Sequence, residues 1–108
     1  MPLRREVSMD IVGCKELAKA DFIGSSDPYV IATFLGEEIF RTAVIKDSCD
    51  PVWSSERFSF VLPNNLTGAK LVLEVFDSDS VGSGAFLGMV GVNASSLLEA
   101  PPPLEIGE

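Results

Sequence analysis

Residues 70–77 read KLVLEVFD, and the aliphatic side chains of Leu71, Leu73 and Val75 recur there at every second position. This period of two predicts a β-strand with one face in a hydrophobic core. The same alternation occurs in residues 6–11 and 57–62, and a β-branched and aromatic run fills residues 29–35. We expect Gly36-Glu37 to form a tight turn from that run into a strand over residues 38–45.

The remaining chain continues the pattern of short strands separated by turn residues. Further strands are expected over about residues 86–92 and 104–106, with a helical turn at 95–98 and a Pro101-Pro102-Pro103 spacer between them. No segment shows helical periodicity over about ten residues. Seven or eight short strands predict an all-β fold of two packed antiparallel sheets. The whole chain, residues 1–108, is long enough for one domain and too short for two.

Charge and composition exclude several classes of function. The net charge of −8 disfavours nucleic acid and opposes unaided binding to an anionic membrane, although a bound cation would reverse that effect locally. The chain has no His, and Cys14 and Cys49 lack the spacing of a zinc site. Without a base for a nucleophile or a phosphate-binding glycine loop, we expect no enzyme activity. With no secretory signal or membrane span, a cytoplasmic protein is expected.

Acidic residues are patterned in two loops that flank predicted strands. Asp21 and Asp27 stand six positions apart, and Asp77 and Asp79 two apart. If the loops meet at one end of a sandwich, each carboxylate pair about 4 Å apart costs about 4 kcal/mol at an effective dielectric near 20. Calcium would neutralise them, because it accepts six to eight oxygen ligands in irregular geometry. The alternative is that these residues only shape turns, as Asp commonly does.

The order of several motifs makes the chain resemble the C2 domains, a family of calcium- and phospholipid-binding β-sandwiches. The resemblance runs from about residue 4 to 98 and is carried by these stretches: residues 21–30 (DFIGSSDPYV), 41–46 (RTAVIK), 50–53 (DPVW), 73–79 (LEVFDSD) and 86–88 (FLG). It implies an eight-stranded sandwich of two four-stranded sheets. The start of the first strand near residue 4 favours the family's type II topology.

The resemblance also implies which residues hold calcium. Its implied ligands are the carboxylates and backbone carbonyls of Asp21, Phe22, Asp27, Asp77, Ser78 and Asp79. The family's fifth acidic position is Ala85 here, and Gly82 replaces a serine that often serves another ion. Ser83 or water would have to fill the gap. Because ligand charge tunes calcium affinity, we expect an incomplete site with a dissociation constant of about 10⁻⁴ M or weaker without lipid.

The function implied by the resemblance is calcium-triggered docking of a monomeric targeting module to anionic phospholipid. Phe22, Ile23 and Val81 lie beside the expected ligands and would insert into the bilayer interface, giving peripheral membrane association. The alternative is that these side chains pack against the sandwich end. A second possible function is a calcium-independent module that binds a protein partner, which the missing ligands at Ala85 and Gly82 favour. Exposed strand edges could recruit a peptide in that case.

Overall fold

The computed structural model of the protein is a sandwich of two β-sheets. It describes residues 5–14, 27–46, 48, 50–54, 56–78, 85–98 and 104–106. The strands in this part of the chain are β1 (Arg5–Cys14), β2 (Pro28–Phe34), β3 (Glu37–Arg41), β4 (Arg57–Leu62), β5 (Lys70–Asp77), β6 (Ala85–Asn93) and β7 (Leu104–Ile106). A short 3₁₀ helix, Ala94–Leu98, follows β6. One sheet has the order β3-β2-β5-β6 and the other the order β4-β1-β7.

The alternating strands bury their apolar faces between the two sheets, as the period of two predicts. Leu71, Leu73 and Val75 of β5 are each 0% exposed. Val7, Met9 and Ile11 of β1 face the same core from the other sheet. Burial of these faces is the main term that holds the sheets together, at about 25 cal/mol per Å² of apolar surface removed from water. The predicted all-β sandwich is therefore confirmed.

Seven strands are found in the described residues, so the predicted eighth strand and the type II topology stay predictions. The β7 strand pairs parallel to β1 through Ile11–Leu104, Gly13–Glu105 and Cys14–Ile106, while every other strand pair described is antiparallel. A bulge interrupts β1 between Ile11 and Gly13. A side chain at Gly13 would meet the Pro51 carbonyl oxygen at 2.7 Å, so this position needs glycine for the close approach of the Pro51 backbone.

The turn of the first hairpin lies one residue earlier than predicted. Leu35 and Gly36 form it, with φ of 53° and 82°, and Glu37 already belongs to β3. Two positive φ values are the conformation of a type I′ turn, whose twist matches that of the flanking strands. Leucine rarely adopts a left-handed backbone, so the sequence favoured Leu35 as the last residue of the strand. The predicted turn was therefore wrong by one residue.

Within the part of the chain that the structure describes, there is no helix with the length and hydrophobicity of a membrane span.

Thr42 joins the end of β3 to β2 through its buried hydroxyl. The Val30 N–H donates to Thr42 Oγ1 at 2.9 Å, and the hydroxyl donates to the Ala43 carbonyl at 2.9 Å. Thr42→Val keeps the shape but leaves the buried Val30 N–H without its acceptor, so we expect a loss of about 1–3 kcal/mol in unfolding free energy. Urea denaturation measures it, with Thr33→Val on the outer face of the same hairpin as the matched control. Equal losses in both variants would contradict the role given to Thr42.

Candidate metal site

The antiparallel pairing of β2 and β5 brings two distant parts of the chain together at one end of the sandwich. Pro28, the first residue of β2, pairs with Asp77, the last residue of β5. Asp27 stands immediately before β2, and Ser78 immediately after β5. Because one strand begins where the other ends, the predicted ligands at these positions become neighbours despite their separation in sequence.

Hydrogen bonds hold Asp27 and Asp77 against each other. The Asp27 N–H donates to Asp77 Oδ1 at 3.0 Å, and the Ser78 N–H donates to the Asp27 carbonyl at 3.0 Å. Both aspartates are 4% exposed. Two carboxyl groups withdrawn from water at one place are costly unless they are well paired or bind a cation. An oxygen-only donor set of this kind suits calcium or magnesium and not zinc.

The structure therefore brings together the two predicted acidic ligands that it describes, Asp27 and Asp77, with the exposed Ser78 beside them. The other predicted site residues lie outside the described residues: Asp21, Phe22, Ile23, Asp79 and Val81. In the described part of the chain, no group of three or more His, Cys, Asp or Glu residues could hold a metal ion. Of the six ligands predicted from the sequence, the structure thus describes three: Asp27, Asp77 and Ser78.

Ala85 occupies the position opposite Asp77. It is the first residue of β6, and its backbone pairs with Asp77 in the antiparallel register of β5 and β6. An alanine contributes no side-chain oxygen, so this strand adds no carboxylate at the point where it reaches the site. The backbone register thus places the departure from the family pattern next to a predicted ligand.

A row of aromatic rings beside the site was not predicted from the sequence. Tyr29, Phe76 and Phe86 are direct neighbours across β2, β5 and β6, with ring centroids 6.0 Å apart in each successive pair. Phe86 is 54% exposed. In the sequence, each of these aromatic residues lies within two positions of Asp27, Asp77 or Ala85. A correct prediction of how β2, β5 and β6 pair would have placed the three rings side by side.

Arg41 lies at the Tyr29 end of this row, and Glu38 compensates its positive charge. Its guanidinium carbon lies 5.5 Å from the centre of the Tyr29 ring, within the range of a cation–π interaction. It also donates to both carboxylate oxygens of Glu38, at 2.9 and 3.1 Å. These hydrogen bonds hold the pKa of the Glu38 carboxyl below its ordinary value. The outer face of the sheet is therefore aromatic at this end, without a net basic patch at Arg41.

Comparison with known proteins assigns this architecture to a family. The model of the C2 domain matches residues 5–105. Synaptotagmin-4 of Arabidopsis thaliana is 33% identical over 95 residues, which are 86% of this chain and 16% of that protein. The E3 ubiquitin-protein ligase NEDD4 of Mus musculus is 33% identical over 106 residues, 94% of this chain and 12% of the ligase. The chain thus spans only a small part of the length of these relatives.

Solved structures show the same fold. Human GIVD cytosolic phospholipase A2 superposes with a TM-score of 0.78 at 27% identity, over 91% of this chain and 14% of that one. A single domain of plant Extended Synaptotagmin 1 gives a TM-score of 0.73 at 26% identity, over 84% of this chain and 70% of that one. The family match, the sequence relatives and the shared fold agree, and this chain belongs to the C2 domain family.

Proposed function

We propose that this domain binds calcium beside Asp27 and Asp77 and, through the ion, docks on anionic phospholipid membranes. The observation that carries the proposal is the burial of Asp27 and Asp77 at the junction of β2 and β5, where the Asp27 N–H donates to Asp77 Oδ1. A divalent cation would offset the cost of withdrawing two carboxyl groups from water at one place. The domain then acts as a targeting module without catalytic activity of its own.

Calcium would be held by oxygen atoms from both loops. We assign it to the carboxylates of Asp21, Asp27, Asp77 and Asp79 and the backbone carbonyls of Phe22 and Ser78. Human GIVD cytosolic phospholipase A2, which is 27% identical to our chain over the matched 14% of its own length, was solved in a complex that includes terbium chloride, and terbium, like calcium, is a hard cation. The ion supplies positive charge and open coordination positions for lipid phosphate oxygens.

The protein's own charge makes docking depend on the ion. A net charge of −8 repels an anionic bilayer, and calcium would reverse the sign of the potential only at the end that binds it. We assign interfacial insertion to Phe22, Ile23 and Val81. The 54% exposed ring of Phe86 at the same end supports this orientation, because its apolar surface would gain free energy by leaving water for the bilayer interface. The domain would be a cytoplasmic monomer that associates peripherally with membranes.

Ala85 sets the strength of binding in this proposal. With no carboxylate from the start of β6, fewer charges reach the ion, and a dissociation constant of about 10⁻⁴ M or weaker without lipid follows. The same observation favours a second candidate function, a calcium-independent module that binds a protein partner. The two functions differ in whether calcium changes the stability or the membrane affinity of the domain.

Calorimetric titration of the chain with calcium, with and without vesicles of phosphatidylcholine and phosphatidylserine, tests the proposal. We expect weak binding without vesicles and at least a tenfold gain in apparent calcium affinity with them, because lipid phosphates complete the coordination. Vesicles of phosphatidylcholine alone are the control and should give no gain. A folded chain that shows no calcium-dependent heat and no vesicle binding would overturn the proposal in favour of the protein-binding module.

A further inference from the structure

The outer face of the four-stranded sheet is apolar around a single carboxylate. Along β5, the side chains of Val72, Glu74 and Phe76 alternate with the buried core residues and face outward. The backbone pairing places Ile31 of β2 on one side of Glu74 and Met89 of β6 on the other side. Each of the four nearest positions around Glu74 on this face therefore carries an apolar side chain. We call these five residues the central face.

Part of the central face is open to water. Met89 is exposed, and Ile31, Val72 and Phe76 are each only partly buried. Contiguous apolar surface exposed on a soluble domain commonly marks a site of interaction. Methionine and aromatic residues are enriched in the cores of protein–protein interfaces, and the flexible methionine side chain adapts its shape to a partner. The composition of the central face therefore favours contact with another protein.

The charge of Glu74 is not compensated within the described part of the chain. Its carboxylate forms no hydrogen bond or ion pair with a described residue. Arg41, on β3, is held by both carboxylate oxygens of Glu38. Lys70, at the start of β5, lies over Gly91 of β6, where its Cδ would be 3.2 Å from an added Cβ. A partner that covers this face would therefore have to supply the opposite charge.

The dimensions of the central face match one α-helix. Ile31 and Met89 lie on the strands that flank β5, so their backbones are separated by two strand spacings, or about 10 Å. This width is close to the diameter of a helix, about 10 Å. From Val72 to Phe76 the strand extends about 13 Å, a length that about nine helical residues span. Helices commonly pack on the apolar face of a sheet, so a helix is the occupant that the shape favours.

Charge disfavours two other occupants, a second copy of the chain and an anionic membrane. Two copies joined through this face about a twofold axis would bring two Glu74 carboxylates together, and each copy has a net charge of −8. An anionic bilayer would meet the same uncompensated carboxylate. A helix with a basic side chain inside its apolar stripe would instead pair with Glu74 in a contact shielded from water, where opposite charges attract more strongly.

We propose that the central face binds an amphipathic helix of a partner protein that carries an arginine or lysine inside its apolar stripe, opposite Glu74. Apolar contacts would supply most of the affinity, and the ion pair would fix the position of the helix and select against helices without the basic side chain. This surface is on the flank of the sandwich and the calcium site is at its end, so the inference does not rest on the proposed calcium-dependent function.

NMR titration of the chain with ¹³C-labelled methyl groups, in calcium-free buffer, tests the proposal. The probe is the acetylated and amidated peptide SPELEALLKAREQLLKAL, which has no net charge and a single arginine within its leucine stripe. We expect the peptide to shift the methyl signals of Ile31, Val72 and Met89, and not those of Val61 on the outer face of the other sheet.

A rearranged peptide is the control for this titration. In SPELEALLKAQERLLKAL, the arginine has changed places with the glutamine two positions later, which moves it to the opposite side of the helix without altering composition or charge. We expect this peptide to bind about tenfold more weakly, because its arginine no longer meets Glu74.

A charge exchange between the chain and the probe tests the ion pair. Glu74→Arg should weaken binding of the first peptide about tenfold, and replacing the arginine of the peptide with glutamate should restore binding to that variant. Glu6→Arg, the same change on the outer face of β1, is the matched control and should alter binding less than about twofold. Equal weakening by both variants would show that the peptide responds only to net charge, and the assigned face would be wrong.

Three further outcomes would overturn the proposal. An absence of methyl shifts, or shifts confined to other surfaces, would show that the helix does not bind the central face. Shifts at Ile31 and Met89 that grow with the concentration of the chain alone, accompanied by a dimer in analytical ultracentrifugation, would identify a second copy as the occupant. The same shifts produced without calcium by vesicles of phosphatidylcholine and phosphatidylserine, and not by the probe, would identify a membrane.

Discussion

Asp77→Asn is expected to abolish the calcium response of this domain while leaving it folded. The asparagine side chain keeps an oxygen that can accept the Asp27 N–H, so the contact between β2 and β5 survives. The negative charge is lost, however, and calcium affinity depends on the charge of its ligands. For the unaltered chain, calcium at 100 times its dissociation constant should stabilise the fold by about 2.7 kcal/mol.

Thermal denaturation with and without calcium measures this effect. With about 10 mM calcium, we expect the melting temperature of the unaltered chain to rise by about 10–20 °C, since each kcal/mol shifts it by about 4–8 °C in a domain of this size. The Asp77→Asn variant should show almost no rise. Asp10→Asn is the matched control, because it removes one exposed carboxylate from the outer face of β1 and should retain the full rise. A full rise in Asp77→Asn would refute the ligand assignment.

Leu73→Ala is expected to remove about 3–4 kcal/mol of unfolding free energy, a large part of the total stability of a domain of this size. Leu73 is 0% exposed at the centre of β5, between β2 and β6. Truncation there removes apolar contacts and leaves a cavity that the packed strands on both sides cannot close. Urea denaturation monitored by the fluorescence of the single Trp53 measures the loss.

Met89→Ala is the control for the core variant. Met89 lies on the neighbouring strand β6, directly opposite Glu74, and is 53% exposed. Its truncation also removes three heavy atoms beyond Cβ, but from a side chain that is largely in water. We expect a loss below about 1 kcal/mol, because little apolar area changes its exposure. Comparable losses in the two variants would contradict the assignment of the β5 inner face to the core.

Predictions from local pattern succeeded where one strand's own sequence carries the information. The alternation at Leu71, Leu73 and Val75 identified β5 and its buried face, because a pleated strand sends successive side chains to opposite sides. The hairpin turn was misplaced by one residue at Leu35. Its positive φ is imposed by the twist of the paired strands and opposes the preference of leucine itself.

Taken alone, the sequence determined the sandwich, the inner faces of its strands and the two aspartates that meet beside β2 and β5. Only the tertiary structure decided that the Asp27 N–H donates to Asp77 Oδ1 and that Tyr29, Phe76 and Phe86 form one row. The physical reason is that side-chain alternation is local to a strand. Which strands pair, and in which register, depends on contacts between residues far apart in the chain.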